Sequence, residues 1–312
     1  MSFSYANTLG QKKEPFIFIS DFKAQNIEVI PLKELSKHDI EFSIDATNKI
    51  VKHTKKLQIK AIDFILYKQK FDAVIEKIKS GETYILNLTQ ATHIDTLYSL
   101  KEIYSYANAH YKLRFKDEFV CFSPETFVKI KGSKISTYPM KGTINASLVD
   151  AQKIILSDVK ELAEHTMIVD LLRNDLSIMA KDVKVEKFRY ISKIYAGSKE
   201  LLQVSSKISG IIGKSWHENI GTILESLLPA GSISGAPKRS TLKIIDEIED
   251  YDRGYFSGVF GFYDGKSFDS AVMIRFIEKT PQGLLYKSGG GITLDSDVTL
   301  EYNELQDKIY LP

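Results

Sequence analysis

Three strand-like runs follow one another late in this chain, over 255–263, 268–277 and 284–287, with no helical pattern between them. Strands joined without a crossover helix pair antiparallel. More strand-like runs crowd into 111–138, beyond a run at 83–92 that alternates as a half-buried strand does. Two shorter runs, 16–22 and 27–32, flank the polar turn Lys23-Ala24-Gln25-Asn26. Helical patterns gather too. Phe71, Val74, Ile75 and Ile78 recur at helical spacing, with Gly81 as a stop. Further helices are expected over 148–176, 216–228, 236–248 and 297–310, Pro237 suiting a first helical turn. Clustered elements point to an α+β fold with large, mostly antiparallel sheets rather than a doubly wound one. The Lys-rich stretch 33–60 carries little periodicity, and 183–191 reads as one more strand.

Nothing marks a boundary within the 312 residues, so a single domain over 1–312 is expected, with a short N-terminal region of about 1–66. A formal net charge of +2 is too small to suggest a nucleic-acid surface. Residues 1–15 lack the roughly 7–15-residue apolar stretch of a secretory signal, and no window approaches the roughly 18 apolar residues of a membrane span. The one cysteine, Cys121, lies between Val120 and Phe122 and reads as a buried strand thiol. A soluble, cytoplasmic protein is the expectation.

Two glutamate pairs stand three apart on expected helices: Glu161 with Glu164, and Glu301 with Glu304. That spacing puts each pair on one helical face. Such faces are commonly just solvated; if the two converge, they form an oxygen-rich site suited to Mg²⁺. The run Gly289-Gly290-Gly291 reads either as a flexible turn or as a place where backbone amides approach an anion. The small-residue stretch 229–238 leads into a helix N-terminus, another natural anion site. It lacks the spacing of a Walker loop. Arg275, at the end of an expected strand, is either a surface charge or a bidentate partner for a carboxylate.

Longer motifs carry a resemblance. They are Gly81-Glu-Thr-Tyr-Ile-Leu-Asn-Leu-Thr89, Ser123-Pro-Glu-Thr-Phe127, Met167-Ile-Val-Asp-Leu-Leu-Arg-Asn-Asp175, the stretch 229–238 and Gly289-Gly-Gly-Ile-Thr-Leu-Asp-Ser-Asp297. Over about 71–312 the chain resembles the chorismate-utilising enzymes. That resemblance implies two large sheets packed together, flanked by helices, with a chorismate site between them. It implies Mg²⁺ held directly by Glu164 and Glu304, with Glu161 and Glu301 as water-mediated or alternate partners. Arg275 and the amides of Gly289, Gly290 and Gly291 fall where relatives bind the enolpyruvyl carboxylate. Gly142, Thr143, Ser232 and Lys308 fall at other substrate-contacting positions.

The segment Pro139-Met140-Lys141-Gly142-Thr143 separates the branches. Aminodeoxychorismate synthases resemble it in their lysine, where anthranilate synthases carry alanine. Glu125 matches that branch's acid–base glutamate. The resemblance therefore implies amination of chorismate at C4 through a lysine-linked intermediate, with ammonia from a separate glutamine amidotransferase. Anthranilate, isochorismate or salicylate synthesis, or an impaired chorismate-binding subunit, are the alternatives. Leu202 and Phe256 stand where relatives carry His and Tyr, and no counterpart of a tryptophan pocket is visible. An ordinary lysine of pKa ~10.4 is about 0.04% neutral at pH 7, a handicap of roughly 4.6 kcal/mol for a nucleophile. Burial and Mg²⁺ are expected to lower the Lys141 pKa, and Glu125 to titrate with it as a coupled pair.

Overall fold

The computed structural model describes residues 2–44, 57–196 and 199–311. Two antiparallel sheets dominate it. The nine-stranded sheet runs Met140–Asn145, Lys199–Ile211, Lys134–Thr137, Thr126–Lys131, Ser267–Val272, Val259–Tyr263, Phe16–Ser20 and Ile27–Pro31, and Lys181–Ala196 also pairs with Lys199–Ile211. The eight-stranded sheet runs Gly235–Ala236, Ile85–Asp95, Gly283–Ile292, Phe276–Thr280, Phe119–Ser123, Tyr111–Phe115 and Ile40–Ile44, with Gln58–Lys60 beside Ile85–Asp95. The expected α+β class with two large antiparallel sheets is what the chain forms. The largest apolar cluster draws on both sheets: it includes Phe16 and Phe18 of the first, Ile85, Leu86 and Leu88 of the second, and helical Trp216, Ile220 and Leu224.

The helices follow local chemistry. In Phe64–Lys79, Asp63 accepts from the amides of Ile65 and Leu66, and Tyr67, Phe71, Val74 and Ile78 form the buried stripe. The expected helix over 148–176 is two, Ala151–Ser157 and Val159–Ser177. Asp158 leaves helical geometry between them and caps the second through the Glu161 amide. That second helix buries Glu164, His165, Ile168, Val169, Leu172 and Leu176, so its inward stripe turns polar at one end. Asp297 caps Val298–Asp307 through the amides of Thr299 and Leu300.

Several expectations are corrected. The run 268–277 is two strands in different sheets, and Arg275 lies between them with a left-handed φ of 54°. Gly289, Gly290 and Gly291 are not a turn; they continue the strand Gly283–Ile292 and pair with Thr89, Leu88 and Asn87. Pro237 precedes the helix Lys238–Ile248 rather than opening it. The helix Phe3–Gln11 and the strand Lys199–Ile211 carried no signal that periodicity detected. Part of the unreadable stretch 33–60 lies outside the described residues. Cys121 is fully buried in its strand, as expected, and burial pushes its thiol far up. Among the described residues, no helix is long and apolar enough to cross a membrane.

Candidate active site

A cavity opens where the two sheets meet. Glu125, Lys141, Gly142, Thr143, Ser232, Arg275, Gly289, Gly290, Gly291, Glu304 and Lys308 all line it. Residues from six separate stretches of sequence thus reach one space. Glu161, Glu164 and Glu301 stand just behind that wall: Glu164 Oε2 is 2.6 Å from Lys141 Nζ, and a Cβ on Gly142 or Gly290 would come within 2.8 Å of Glu161 Oε2 or 3.3 Å of Glu301 Oε2.

Local backbone geometry produces this convergence. The pairing of Met140–Asn145 with Lys199–Ile211 is bulged between Met140 and Thr143, and Gly142 adopts φ +87° there. A bulge re-aims the side chains beside it, here sending Lys141 to the cavity. The ladder between Gly283–Ile292 and Phe276–Thr280 ends at Lys287. From Ser288 onward the glycine strand has a partner on one side only, Ile85–Asp95. Its other edge borders the cavity, and in an antiparallel strand only alternate amides point that way. The anion cradle expected from three consecutive amides is therefore a strand edge.

The loop 229–238 is held from two sides. Arg253, fully buried, donates Nη1 to the Ile233 carbonyl at 2.8 Å and Nη2 to the Asn87 carbonyl at 2.6 Å. It pairs with Glu249, whose carboxylate also accepts from the Thr89 amide and hydroxyl at 2.8 Å each. On the other side Lys238 Nζ reaches Asp175 Oδ2 at 3.1 Å. The loop then presents Ser232, whose hydroxyl donates to the Glu125 carboxyl.

Electrostatics divide the site. Burial raises the Glu125 pKa, against the opposing Ser232 hydrogen bond and the charges of Arg275 and Lys308. Burial acts to lower Lys141, but Glu164, Glu304 and Glu301 outweigh it, and the ammonium is stabilised above its ordinary value. The expected lowering of Lys141 is not found: its carboxylate neighbours raise it. The charges that act most on Lys141 are the helix glutamates, whereas Glu125 answers to Arg275 and Lys308. Glu304 is held down to about 2, chiefly by Lys308 at 2.6 Å. Burial raises both Glu161 and Glu301, Lys141 opposing it in each.

The all-oxygen donor set fits Mg²⁺, which takes a few carboxylates and completes its shell with water and substrate oxygens. Glu161 Oε2 is buried without a hydrogen-bond partner, an orphaned acceptor facing this cluster. Yet among the described residues no three carboxylate, imidazole or thiolate groups form a ready chelate. Lysines are interleaved instead: Lys141 on Glu164, Lys308 on Glu304, and Lys160 between Glu164 and Glu301 at 3.7 and 3.6 Å.

Phe256 lines the cavity, so the tyrosine-to-phenylalanine difference removes a phenol from its wall. Tyr255 does not replace it; its ring packs on Phe115 and Phe119. Leu202 is not on the wall, whereas Gln203 is. Strand alternation explains why neighbours differ. Gln203, Asn87, Lys160 and Arg253 went unnoticed in the sequence. Gln203 lies on a strand without a period-2 burial pattern, and the others are placed by long-range contacts.

A family model described as chorismate binding enzyme matches residues 11–311. The chain belongs to that family. It is a chorismate-utilising enzyme. An uncharacterized PabA-like protein of Pasteurella multocida is 44% identical, with 98% of this chain and 97% of that one aligned. The anthranilate synthase component 1 of Archaeoglobus fulgidus is 29% identical over 86% of this chain and 69% of its own. The aminodeoxychorismate synthase component 1 of Salmonella typhimurium is 35% identical over 78% of this chain and 56% of its own. Among solved structures, the menaquinone-specific isochorismate synthase MenF of Escherichia coli shares the fold, with a TM-score of 0.73 at 15% identity, 97% of this chain covering 79% of that one.

Proposed function

We propose that this chain is the chorismate-converting component of an aminodeoxychorismate synthase. The observation that carries this reading is the Lys141 ammonium on the wall of the same cavity as the raised carboxyl of Glu125. In the proposed reaction the neutral Lys141 amine attacks C2 of chorismate. Both ring double bonds shift in concert, and the C4 hydroxyl leaves as water with the proton held by Glu125. Ammonia then attacks C4, both double bonds shift back, and the Lys141 amine departs from C2, leaving 4-amino-4-deoxychorismate. Two allylic displacements replace one difficult substitution, and Glu125 serves as the general acid. Ser232 orients that acid through its hydrogen bond. Arg275, on the cavity wall, offers a guanidinium to a substrate carboxylate.

Mg²⁺, when bound by Glu164 and Glu304 with Glu161 and Glu301 in support, supplies charge neutralisation for the dianionic substrate. Ammonia comes from a separate glutamine amidotransferase in this reading. The chain's similarity to a component 1 of aminodeoxychorismate synthase supports that pairing.

The test is incubation with chorismate, ammonium and Mg²⁺, with products separated by mass spectrometry. 4-Amino-4-deoxychorismate is expected. Anthranilate, isochorismate or salicylate as main product would overturn the assignment, and so would chorismate binding without turnover. Lys141→Ala should lose the covalent adduct in intact-mass spectra and lower the rate by roughly 10²-fold or more, the scale of a lost acid, base or nucleophile.

A further inference from the structure

We propose that Lys160 is a tethered cation occupying the gap between the two glutamate helices, and that a divalent cation entering this site must displace it. The inference rests on the reading of Glu161, Glu164, Glu301 and Glu304 as the Mg²⁺ site. Lys160 is the second residue of the helix Val159–Ser177. Its Nζ lies 3.7 Å from Glu164 Oε1 and 3.6 Å from Glu301 Oε1, so one ammonium spans the two helices. Both distances exceed the roughly 2.7–2.9 Å of a direct charge-assisted hydrogen bond. The ammonium sits between the carboxylates as a shared counter-ion, committed to neither.

The other two lysines of the cluster are placed differently. Lys141 and Lys308 each hold one carboxylate at 2.6 Å and line the cavity. Lys160 is absent from that wall, and its side chain is 36% exposed, whereas those of Glu164 and Glu301 are 5% exposed. A compact ammonium on a flexible four-carbon stem can swing into water at little cost. The buried carboxylates cannot follow it. Glu164 keeps Lys141 at 2.6 Å, but the charge it shared with Glu301 is lost, which favours a replacement cation between them.

Calorimetric titration of Mg²⁺ into the full chain, its Lys160→Met variant and its Lys160→Arg variant tests this without reference to turnover. Lys160→Met should bind Mg²⁺ about tenfold more tightly, the scale of two half-exposed ion pairs no longer in competition. Lys160→Arg, which keeps the charge, should stay near the wild type. In EDTA the Met variant should melt below the wild type and regain the difference with Mg²⁺. Lys160→Gln guards against a folding defect peculiar to Met and must move affinity the same way. Equal or weaker Mg²⁺ binding by the Met and Gln variants, with the wild type binding normally, overturns the role of Lys160 alone. No Mg²⁺ binding by any of the chains overturns the metal site and the inference together.

Discussion

At the scale of single residues, Lys141 and Glu125 share a cavity but answer to different neighbours. Glu125 is governed by burial, Ser232, Arg275 and Lys308. Lys141 is governed by burial opposed by the helix glutamates. Each must be in its neutral form for the proposed first step, which sets opposite pH demands. The neutral acid is lost as pH rises through the raised Glu125 value. The neutral amine is gained as pH rises toward the raised Lys141 value. A bell-shaped kcat/KM profile with macroscopic limbs is expected. Glu125→Gln cannot release a proton, so it should lower kcat by roughly 10²–10⁴-fold and remove the Glu125 limb. A profile of unchanged shape in that variant would exclude Glu125 as the acid.

At the scale of elements, the site depends on how strands and loops are pinned. Gly142 combines a left-handed φ with a Glu161 oxygen 2.8 Å from any added Cβ. Gly142→Ala should cost roughly 1–3 kcal/mol of stability, read as a lower urea midpoint. Arg253 ties the Ser232 loop to the strand Ile85–Asp95 while paired with Glu249. Arg253→Met leaves that buried carboxylate unpaired and should cost roughly 3–5 kcal/mol. Adding Glu249→Leu should recover part of the loss, giving a coupling measurable in a double-mutant cycle. Additive losses would show that the pair does not act as a unit. These features also mark the limit of legibility. The three-residue spacing of the glutamates was visible in the sequence because helical periodicity is local. The bulge at Gly142 and the Arg253 clasp were not, since each is defined by a partner far along the chain.

At the scale of the whole molecule, one buried titratable group reports on the packing of helix against sheet. His165, on the inward stripe of Val159–Ser177, has Nε2 2.7 Å from Ser206 Oγ on the strand Lys199–Ile211. Burial first, and Arg189 second, lower its pKa from 6.5 to about 4. The unfolded chain therefore binds a proton between these values that the folded chain does not. Stability rises with pH across that window and is lost as pH falls from 6.5 toward 4. The loss amounts to at most about 3 kcal/mol. Urea unfolding as a function of pH should show this slope, and His165→Gln should flatten it. An unchanged slope in the variant would assign the dependence to other groups.

The sequence alone determined the antiparallel character of the sheets, the capped and periodic helices, and the family. Those follow from local periodicity and from motifs long enough to be specific. Its family motifs also named eleven of the residues that line the cavity. Tertiary structure decided the rest. It turned the three glycines from a possible loop into a strand edge. It set Arg275 between two sheets, and it placed lysines among the glutamates so that Lys141 is held charged beside Glu164. Each outcome depends on which distant groups share a space of low polarity, and no local pattern encodes that.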